Sequence, residues 1–256
     1  METAGSGSGR AGFADHFSAV AEGYALYRPR YPRALFDAIA ARAARHCLAW
    51  DCATGSGQAA TGLLEYFEHV VATDASTAQL RGAPAAPRLS LAAARAEAAP
   101  LAAGVVDVLT VGQALHWFQL GAFYRETRRV LHADGLIVAW TYDNLRADGE
   151  VAEIVDELYQ SLTAYWPEER HLVEARYRDL PFPFSAVERL ELAMQETWTL
   201  EQLIGYLGTW SAVKRFREQE SLDPLQTYSS RLAEAWGEQP CRQVTWPLTV
   251  LCGRPG

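Results

Sequence analysis

Short apolar runs alternate with segments of helical periodicity through the first half of the chain. Apolar residues recur with helical spacing from Pro32 to about Arg45, again behind Gln58, and over residues 120–131. The runs between these helices are too short for helices and end in polar residues or glycine, as buried strands do. They predict five strands, over residues 47–50, 69–73, 89–93, 105–111 and 136–140. Strands that alternate with helices at this spacing imply right-handed crossovers, so the pattern predicts a parallel sheet covered on both faces.

The second half of the chain follows a different pattern. Apolar positions over residues 151–165 mark a long amphipathic helix, and an irregular stretch over residues 166–184 follows it. We interpret this stretch as an insertion over the sheet. Strand-like alternation over residues 187–194 then leads to Thr199 and Gln202, a capping box that begins another helix.

A last apolar strand is predicted over residues 248–252. It follows Pro247 directly, and proline is tolerated at the start of a strand but not in a central ladder. No linker separates the pieces of the chain, which predicts one domain over residues 13–256. Within it, residues of about 143–185 and 199–237 are the expected cap elements on the substrate side.

The charge and the apolar segments of the chain exclude some partners. Acidic residues outnumber basic ones by 31 to 23, and a net charge of -8 disfavours binding to nucleic acid. The longest uncharged run, over residues 108–124, is too polar and slightly too short to cross a membrane. Residues 1–12 lack the apolar core of a secretion signal, so we expect a flexible tail there and a cytoplasmic protein.

The four cysteines show no C-x-x-C spacing and lie in apolar surroundings. This pattern predicts buried free thiols, and neither a metal site nor disulfides, at Cys47, Cys52, Cys241 and Cys252.

A glycine-rich turn behind the first predicted strand is the first candidate for chemistry. Gly55 and Gly57 let a ligand approach the backbone N–H groups at the start of the next helix. Seventeen residues after Gly57, Asp74 ends the second strand, where a carboxylate can accept hydrogen bonds from both hydroxyl groups of a ribose. Together these features predict a nucleoside-containing cofactor.

The turn also fits the G-x-G-x-x-G/A pattern of dinucleotide sites, so its surroundings decide the cofactor. Asp51 lies just before the glycines, where a carboxylate would repel a pyrophosphate but suits an ammonium group or a bridging water. A cofactor with a positively charged amino acid end and a ribose therefore fits better than NAD. S-adenosylmethionine has both.

The turn resembles a known motif. Asp51-Cys52-Ala53-Thr54-Gly55-Ser56-Gly57-Gln58 is similar to motif I, D-x-G-x-G-x-G, of class I S-adenosylmethionine-dependent methyltransferases, with Ala53 in place of the first glycine. Asp74 corresponds to the acidic end of strand two in that family, and Ala96-Glu97 resembles the acidic pair near the adenine.

Further segments extend the resemblance. Residues 131–135 resemble the family's turn before strand five. More narrowly, residues 24–32, 113–118 and 209–211 are similar to a small-molecule branch that includes the trans-aconitate methyltransferase-like proteins.

The resemblance implies a Rossmann-like, doubly wound α/β fold with a seven-stranded sheet. The last strand is antiparallel, and a helical insertion covers the C-terminal edge of the sheet. The residues expected to bind the cofactor are Tyr24, Arg28, Asp51, Ala53, Gly55, Gly57, Asp74, Ala96, Glu97, Gln113, Ala114 and Trp117. Tyr24 and Arg28 could instead be a packed aromatic residue and a surface arginine, and Glu97 an ordinary exposed side chain.

The expected reaction is methyl transfer to a small molecule, with O-methylation of a small carboxylic acid favoured. His116 is the candidate catalytic residue, as a general base, a hydrogen-bond donor or a packed histidine. The acceptor pocket is expected under the insertion, with the substrate residues Trp140, Tyr142, Trp210 and Arg215, and Arg28 or Arg215 could pair with a carboxylate. A catalytically silent cofactor-binding regulator and an NAD-dependent oxidoreductase are the alternatives. The chain is expected to act as a monomer or a homodimer.

Overall fold

The computed structural model describes residues 27–256, and its centre is one seven-stranded sheet. Tyr24 and the predicted tail, residues 1–12, lie outside the described residues. The strands are β1 (Leu48–Cys52), β2 (His69–Asp74), β3 (Leu89–Ala93), β4 (Val106–Gly112), β5 (Leu131–Tyr142), β6 (Ser185–Trp198) and β7 (Arg242–Arg254). Their order is β3-β2-β1-β4-β5-β7-β6; β1 to β5 are parallel, and β7 is antiparallel to both β5 and β6. The predicted doubly wound sheet with an antiparallel last strand is confirmed.

Helices connect the strands and cover both faces of the sheet. They are α1 (Arg33–Arg42), α2 (Gln58–Leu63), α3 (Thr77–Arg81), α4 (Leu120–Val130), α5 (Glu150–Ser161), α6 (Arg170–Glu174), α7 (Leu200–Gly208), α8 (Ser211–Glu220) and α9 (Leu225–Trp236), with 3-10 turns at Leu115–Trp117 and Thr163–Tyr165. Among the described helices, none is long and apolar enough to span a bilayer.

Alternation along the central strands builds two apolar layers. Val108 and Val138 pack in one cluster of buried residues, whereas the adjacent Leu109 and Ile137 pack in the other. Successive side chains of a strand point to opposite faces, so an apolar run such as β4 fills both layers at once. This explains why the sequence shows continuous apolar runs here.

The helices of the second half form the cap over the sheet. Helix α5 buries Val151, Ile154, Val155 and Leu158, which share one helical face, and α9 packs against both α5 and α7. The predicted capping box is confirmed, because the Thr199 side chain accepts the Gln202 N–H while the Gln202 side chain accepts the Thr199 N–H.

The prediction that Pro247 starts a strand is wrong. Pro247 lies inside β7, opposite Ala193 of β6. Its carbonyl oxygen accepts the Asp143 N–H at 3.2 Å, and in an antiparallel strand the nitrogen of the same residue faces the same side. That side is the loop beyond Tyr142, where β5 has ended, so the missing N–H breaks no ladder hydrogen bond.

Three other local predictions need correction. The helix expected over residues 199–215 is two helices, α7 and α8, which meet at Trp210. Residues 131–135 belong to β5 as a bulge, since Val106 pairs with Leu131 but Val108 pairs with Leu136. Of the four free cysteines, Cys52 and Cys252 are buried as predicted, whereas Cys47 is exposed and Cys241 half-buried.

Candidate active site

The turn between β1 and α2 is folded tightly against the end of β2. The Thr54 N–H donates to the Thr73 carbonyl at 2.9 Å, and Gly57 N–H donates to the Thr54 carbonyl at 3.0 Å. Ala53, Gly55 and Gly57 all have positive φ, at 56°, 57° and 82°. At Gly57 a Cβ would also lie 3.0 Å from the Ala83 Cβ. Ala53 thus holds the left-handed conformation for which the motif normally uses glycine, at a local cost of roughly 1–2 kcal/mol.

Asp51 anchors this turn from below. Its side chain is 1% exposed and accepts hydrogen bonds from Thr54 Oγ1 at 2.5 Å and Thr110 Oγ1 at 2.8 Å. Burial raises the pKa of Asp51 to about 6, although both hydroxyl groups act in the opposite direction. The visible role of Asp51 is therefore to position the turn, and its contact with the cofactor stays a prediction.

Asp74 lies beside the turn with its carboxylate at the end of β2. One oxygen accepts the Gly55 N–H at 2.9 Å and the other accepts the Ser76 N–H at 2.8 Å. Burial raises the pKa of Asp74, and these two N–H groups oppose the shift. Each carboxylate oxygen can accept about two hydrogen bonds, so one position on each remains for a ribose hydroxyl. The geometry fits the sugar of a nucleoside cofactor.

The residue pair after β3 is already used by the fold. One Glu97 oxygen accepts the N–H of Gln119, the residue before α4, at 3.1 Å, and the other lies 3.3 Å from Arg95 Nε. Glu97 is 14% exposed, and Ala96 packs as a half-buried residue. Burial, and after it the charges of Asp51, Asp74 and Glu97, raises the pKa of the Cys52 thiol, so the three carboxylates lie near one another at this edge of the sheet. An adenine contact stays a prediction.

The end of β4 joins this edge to a cavity. Gln113 has a positive φ of 54°, and its side-chain oxygen accepts from Thr141 Oγ1 at 2.5 Å and from the Tyr142 N–H at 3.2 Å. These bonds fix Gln113 between the ends of β4 and β5. Gln113 lies three residues after Thr110, which pairs with Asp51 of the neighbouring strand β1. Ala114 is buried beside it.

The cavity has a volume of about 280 Å³ and lies between the sheet edge and the cap. Its walls include aromatic side chains from four parts of the chain, namely Trp117, Tyr142, Trp166, Tyr206 and Trp210. The cavity lies where the sequence predicts the acceptor pocket, beneath the insertion and the helices after Thr199.

Positive charge dominates the cavity walls. Among the described residues, Arg28, Arg170, Lys214 and Arg217 line it, and Asp143 is the one carboxylate. Arg28 donates to the Tyr142 hydroxyl, which holds the segment before α1 against the end of β5. The cavity is therefore an environment for an anionic ligand.

His116 faces this cavity as a neutral side chain. Burial and the charge of Arg170 lower the pKa of His116 to about 3. Its Nδ1 lies 2.8 Å from the Tyr177 hydroxyl, whose pKa burial raises far above the ordinary value. Tyr177 keeps its hydroxyl proton at neutral pH and can donate it to Nδ1. In the tautomer with Nδ1 as acceptor, Nε2 of His116 carries the ring proton and is a hydrogen-bond donor.

Two predicted substrate residues lie elsewhere. Trp140 is fully buried, packs edge-on against Tyr31, and leaves no space for a side chain at Gly112. Arg215 donates to the Tyr165 carbonyl at 3.5 Å and does not line the cavity. One residue is about 100° of helix rotation, so Lys214 and Arg217 share the face that Arg215 does not.

Sequence reasoning missed Arg170, Trp166, Lys214 and Arg217. The spacing of Lys214 and Arg217 behind Trp210 is a helical face that could have been found. Arg170 and Trp166 lie in the irregular stretch, where no periodicity indicates which side chains turn inward.

Comparisons with known proteins agree with this geometry. A family model described as a methyltransferase domain matches residues 50–139. The solved structure of an Anaeromyxobacter dehalogenans protein, assigned as a type II methyltransferase, is 45% identical and has a TM-score of 0.83, over 89% of this chain and 98% of that one.

Curated relatives extend the similarity over most of the chain. A Dictyostelium discoideum protein assigned as a methyltransferase is 29% identical over 255 residues, covering 94% of this chain and 95% of the relative. An uncharacterized methyltransferase of Mycobacterium tuberculosis is 29% identical over 203 residues, or 76% of each chain. With the strand order and the turn between β1 and α2, these similarities show that the chain belongs to the class I S-adenosylmethionine-dependent methyltransferases.

Proposed function

We propose that this chain binds S-adenosylmethionine at the turn after β1 and methylates an oxygen of a small carboxylic acid. The observation that carries the proposal is the cavity at the same sheet edge, to which residues 27–256 contribute four cationic side chains and one carboxylate. A carboxylate is attracted to such a site and is already ionised at neutral pH. A cytoplasmic location and a monomer or homodimer remain part of this proposal.

The proposed cofactor contacts follow the fit described above. Asp74 accepts the ribose hydroxyl groups, and the backbone of Gly55 and Gly57 allows close approach of the nucleoside. When bound, the sulfonium cofactor supplies a methyl group that is already activated for displacement. Gln113 and Trp117 line the cavity on the side of the sheet edge that carries the turn. The face of an aromatic ring such as Trp117 can stabilise a cation by up to about 2 kcal/mol in a dry site.

The protein's contribution to the reaction is alignment and exclusion of water. Holding the acceptor oxygen in line with the methyl group could supply roughly 7–11 kcal/mol of barrier reduction. A carboxylate loses no proton when it is methylated, so the reaction needs no general base. A neutral His116 that donates a hydrogen bond from Nε2 agrees with this. The proposed role of His116 is therefore to orient the acceptor.

A methyl-transfer screen tests the proposal. The purified chain is incubated with methyl-labelled S-adenosylmethionine and panels of small carboxylic acids, phenols and amines. The proposal expects base-labile labelled esters from the acids, and their loss in Asp74→Ala. Label only in phenols or amines would contradict the acceptor class, whereas cofactor binding without transfer to any panel would favour the catalytically silent regulator.

A further inference from the structure

Arg170 is a cation of the cavity wall that several contacts hold in place. Its Nε donates to the Tyr159 hydroxyl at 2.8 Å, and its Nη2 donates to the side-chain oxygen of Asn144. The guanidinium also lies over two rings, 4.9 Å from the Trp166 centroid and 5.3 Å from that of Tyr159. These contacts fix a planar group that is otherwise among the most mobile in proteins.

The fixed guanidinium still has donors to offer. The two hydrogen bonds use two of its five N–H groups, and the others can serve a carboxylate. The nearby carboxylate of Glu174 lies 4.0 Å from Nε, is 47% exposed, and is itself bound by the Tyr159 hydroxyl. Arg170 is 18% exposed, so its charge is screened less by solvent than the charge of a surface pair.

The cations of α8 are held differently. Arg217 is 40% exposed and lies 2.9 Å from the Asp223 carboxylate. Lys214 is 29% exposed and lies 4.0 Å from the Glu218 carboxylate. Both side chains are partly neutralised and near water, which reduces what they contribute to binding an anion.

His116 gives an independent indication that the charge of Arg170 reaches the reacting end of the cavity. Arg170 is the charged group that, after burial, lowers the pKa of His116. The His116 ring itself packs against Trp117, with centroids 4.9 Å apart, and against Tyr177. An acceptor that touches His116 is thus also within the field of Arg170.

We propose that Arg170 is the specificity-determining residue of the cavity and that its guanidinium binds the anionic group of the acceptor. The inference rests on the proposed function in one respect, that the cavity is the acceptor site. Arg170 positions the anion through charge-assisted hydrogen bonds and leaves the aromatic walls to hold the remainder of the molecule. A neutral analogue of the same shape loses those bonds and binds more weakly.

Paired probes test this assignment without knowledge of the natural acceptor. Benzoate and benzamide have nearly the same shape and differ in charge, and their dissociation constants are measured by calorimetry with and without S-adenosylhomocysteine. We expect the unmodified chain to bind benzoate at least about 10-fold more tightly than benzamide. In Arg170→Gln this ratio falls below about 3-fold, while the affinity for benzamide is unchanged; Arg170→Lys, which keeps the charge, gives an intermediate ratio.

The matched control is Arg215→Gln, an arginine of the same cap that does not line the cavity. It should keep the full ratio. An equal loss in Arg215→Gln, Lys214→Gln or Arg217→Gln, or an unchanged ratio in Arg170→Gln, would overturn the proposal. A fall in benzamide affinity that matches the fall for benzoate would also overturn it, because it shows a structural role. Selective benzoate binding without any S-adenosylhomocysteine binding would refute the methyltransferase proposal and leave the assignment of Arg170 standing.

Discussion

The turn after β1 and the cavity under the cap lie at the same sheet edge but are built in different ways. The turn is made mostly within residues 51–76, and its backbone N–H groups fix its shape by binding the Thr73 carbonyl and the Asp74 carboxylate at the end of β2. The cavity is lined by side chains that are far apart in the sequence, from Arg28 to Arg217, and their rings and charges determine its shape. Local backbone geometry can be encoded in a short motif, whereas an assembly of distant side chains cannot.

This contrast predicts that substitutions in the turn change the stability of the protein and its affinity for the cofactor. Substitutions in the cavity should change its affinity for the acceptor. Arg170 is the strongest case on the cavity side. Substitutions at Asp51, Asp74, His116 and Ala53 test the same division.

The largest effect is expected from Asp51→Asn. Burial raises the pKa of Asp51 from 3.8 to about 6, so the folded protein holds its proton more tightly than the unfolded chain. The native state therefore loses stability as pH rises from about 4 to about 7, by on the order of 3 kcal/mol from this residue. Denaturant unfolding across that range should show Asp51→Asn gaining stability relative to the unmodified chain as pH rises.

Asp179→Asn, at an exposed carboxylate, is the control for that series. Its difference from the unmodified chain should stay nearly constant with pH. If the difference in stability between Asp51→Asn and the unmodified chain were constant with pH, burial would not raise the pKa of Asp51.

Asp74→Ala should weaken binding of S-adenosylhomocysteine by about 10-fold or more. The change leaves two ribose hydroxyl groups without an acceptor and releases the N–H groups of Gly55 and Ser76. Calorimetry measures the loss, and benzoate affinity should stay the same, since Asp74 does not line the cavity. Unchanged cofactor affinity would place the ribose elsewhere.

His116→Gln should lower kcat by less than about 10-fold and raise KM for the acceptor. A side chain with a pKa of about 3 is a poor general base at neutral pH, and glutamine can still donate a hydrogen bond. In steady-state kinetics from pH 5 to 9, the rate of the unmodified chain should show no inflection near pH 6.5 that can be assigned to His116 by its absence in His116→Gln. The control is His69→Gln, which removes a half-buried imidazole that is bound to Ser90, far from the cavity lining, and should leave both constants unchanged.

A loss of kcat of about 100-fold or more in His116→Gln, together with such an inflection, would identify base catalysis. The acceptor would then be a hydroxyl group or an amine, because those must lose a proton on methylation.

The smallest effect is expected from Ala53→Gly. Glycine removes the cost of a positive φ, roughly 1–2 kcal/mol, but adds about 0.4–1 kcal/mol of freedom to the unfolded chain. The net result is a gain of about 0 to 1.6 kcal/mol in the free energy of unfolding, measured by denaturant titration. Ala59→Gly, inside α2, should instead lose about 1 kcal/mol, and an equal loss in both would show that Ala53 carries no strain.

The sequence was sufficient for the fold and for the turn. The parallel strands β1 to β4 begin and end within two residues of their predicted bounds, whereas β5 begins five residues earlier, at Leu131. Gly55, Gly57 and Asp74 converge as predicted because strand ends and a helix start bring them together over a short stretch of chain.

The cavity was predicted in place but only partly in composition. Tyr142 and Trp210 line it, whereas Trp140 and Arg215 do not, because strand alternation and helix rotation direct those two side chains elsewhere. Pro247 shows the same limit, since its place in β7 depends on where β5 ends and not on its own neighbours. Such outcomes depend on tertiary packing, which a single-sequence pattern does not contain.

Calorimetry of the unmodified chain with S-adenosylhomocysteine and with NADH is the sharpest test of the cofactor assignment. We expect saturable heat with S-adenosylhomocysteine and none with NADH, because the turn, Asp74 and the adjoining cationic cavity are assigned to a methyl donor and its acceptor. Saturable heat with NADH, and none with S-adenosylhomocysteine, would contradict it.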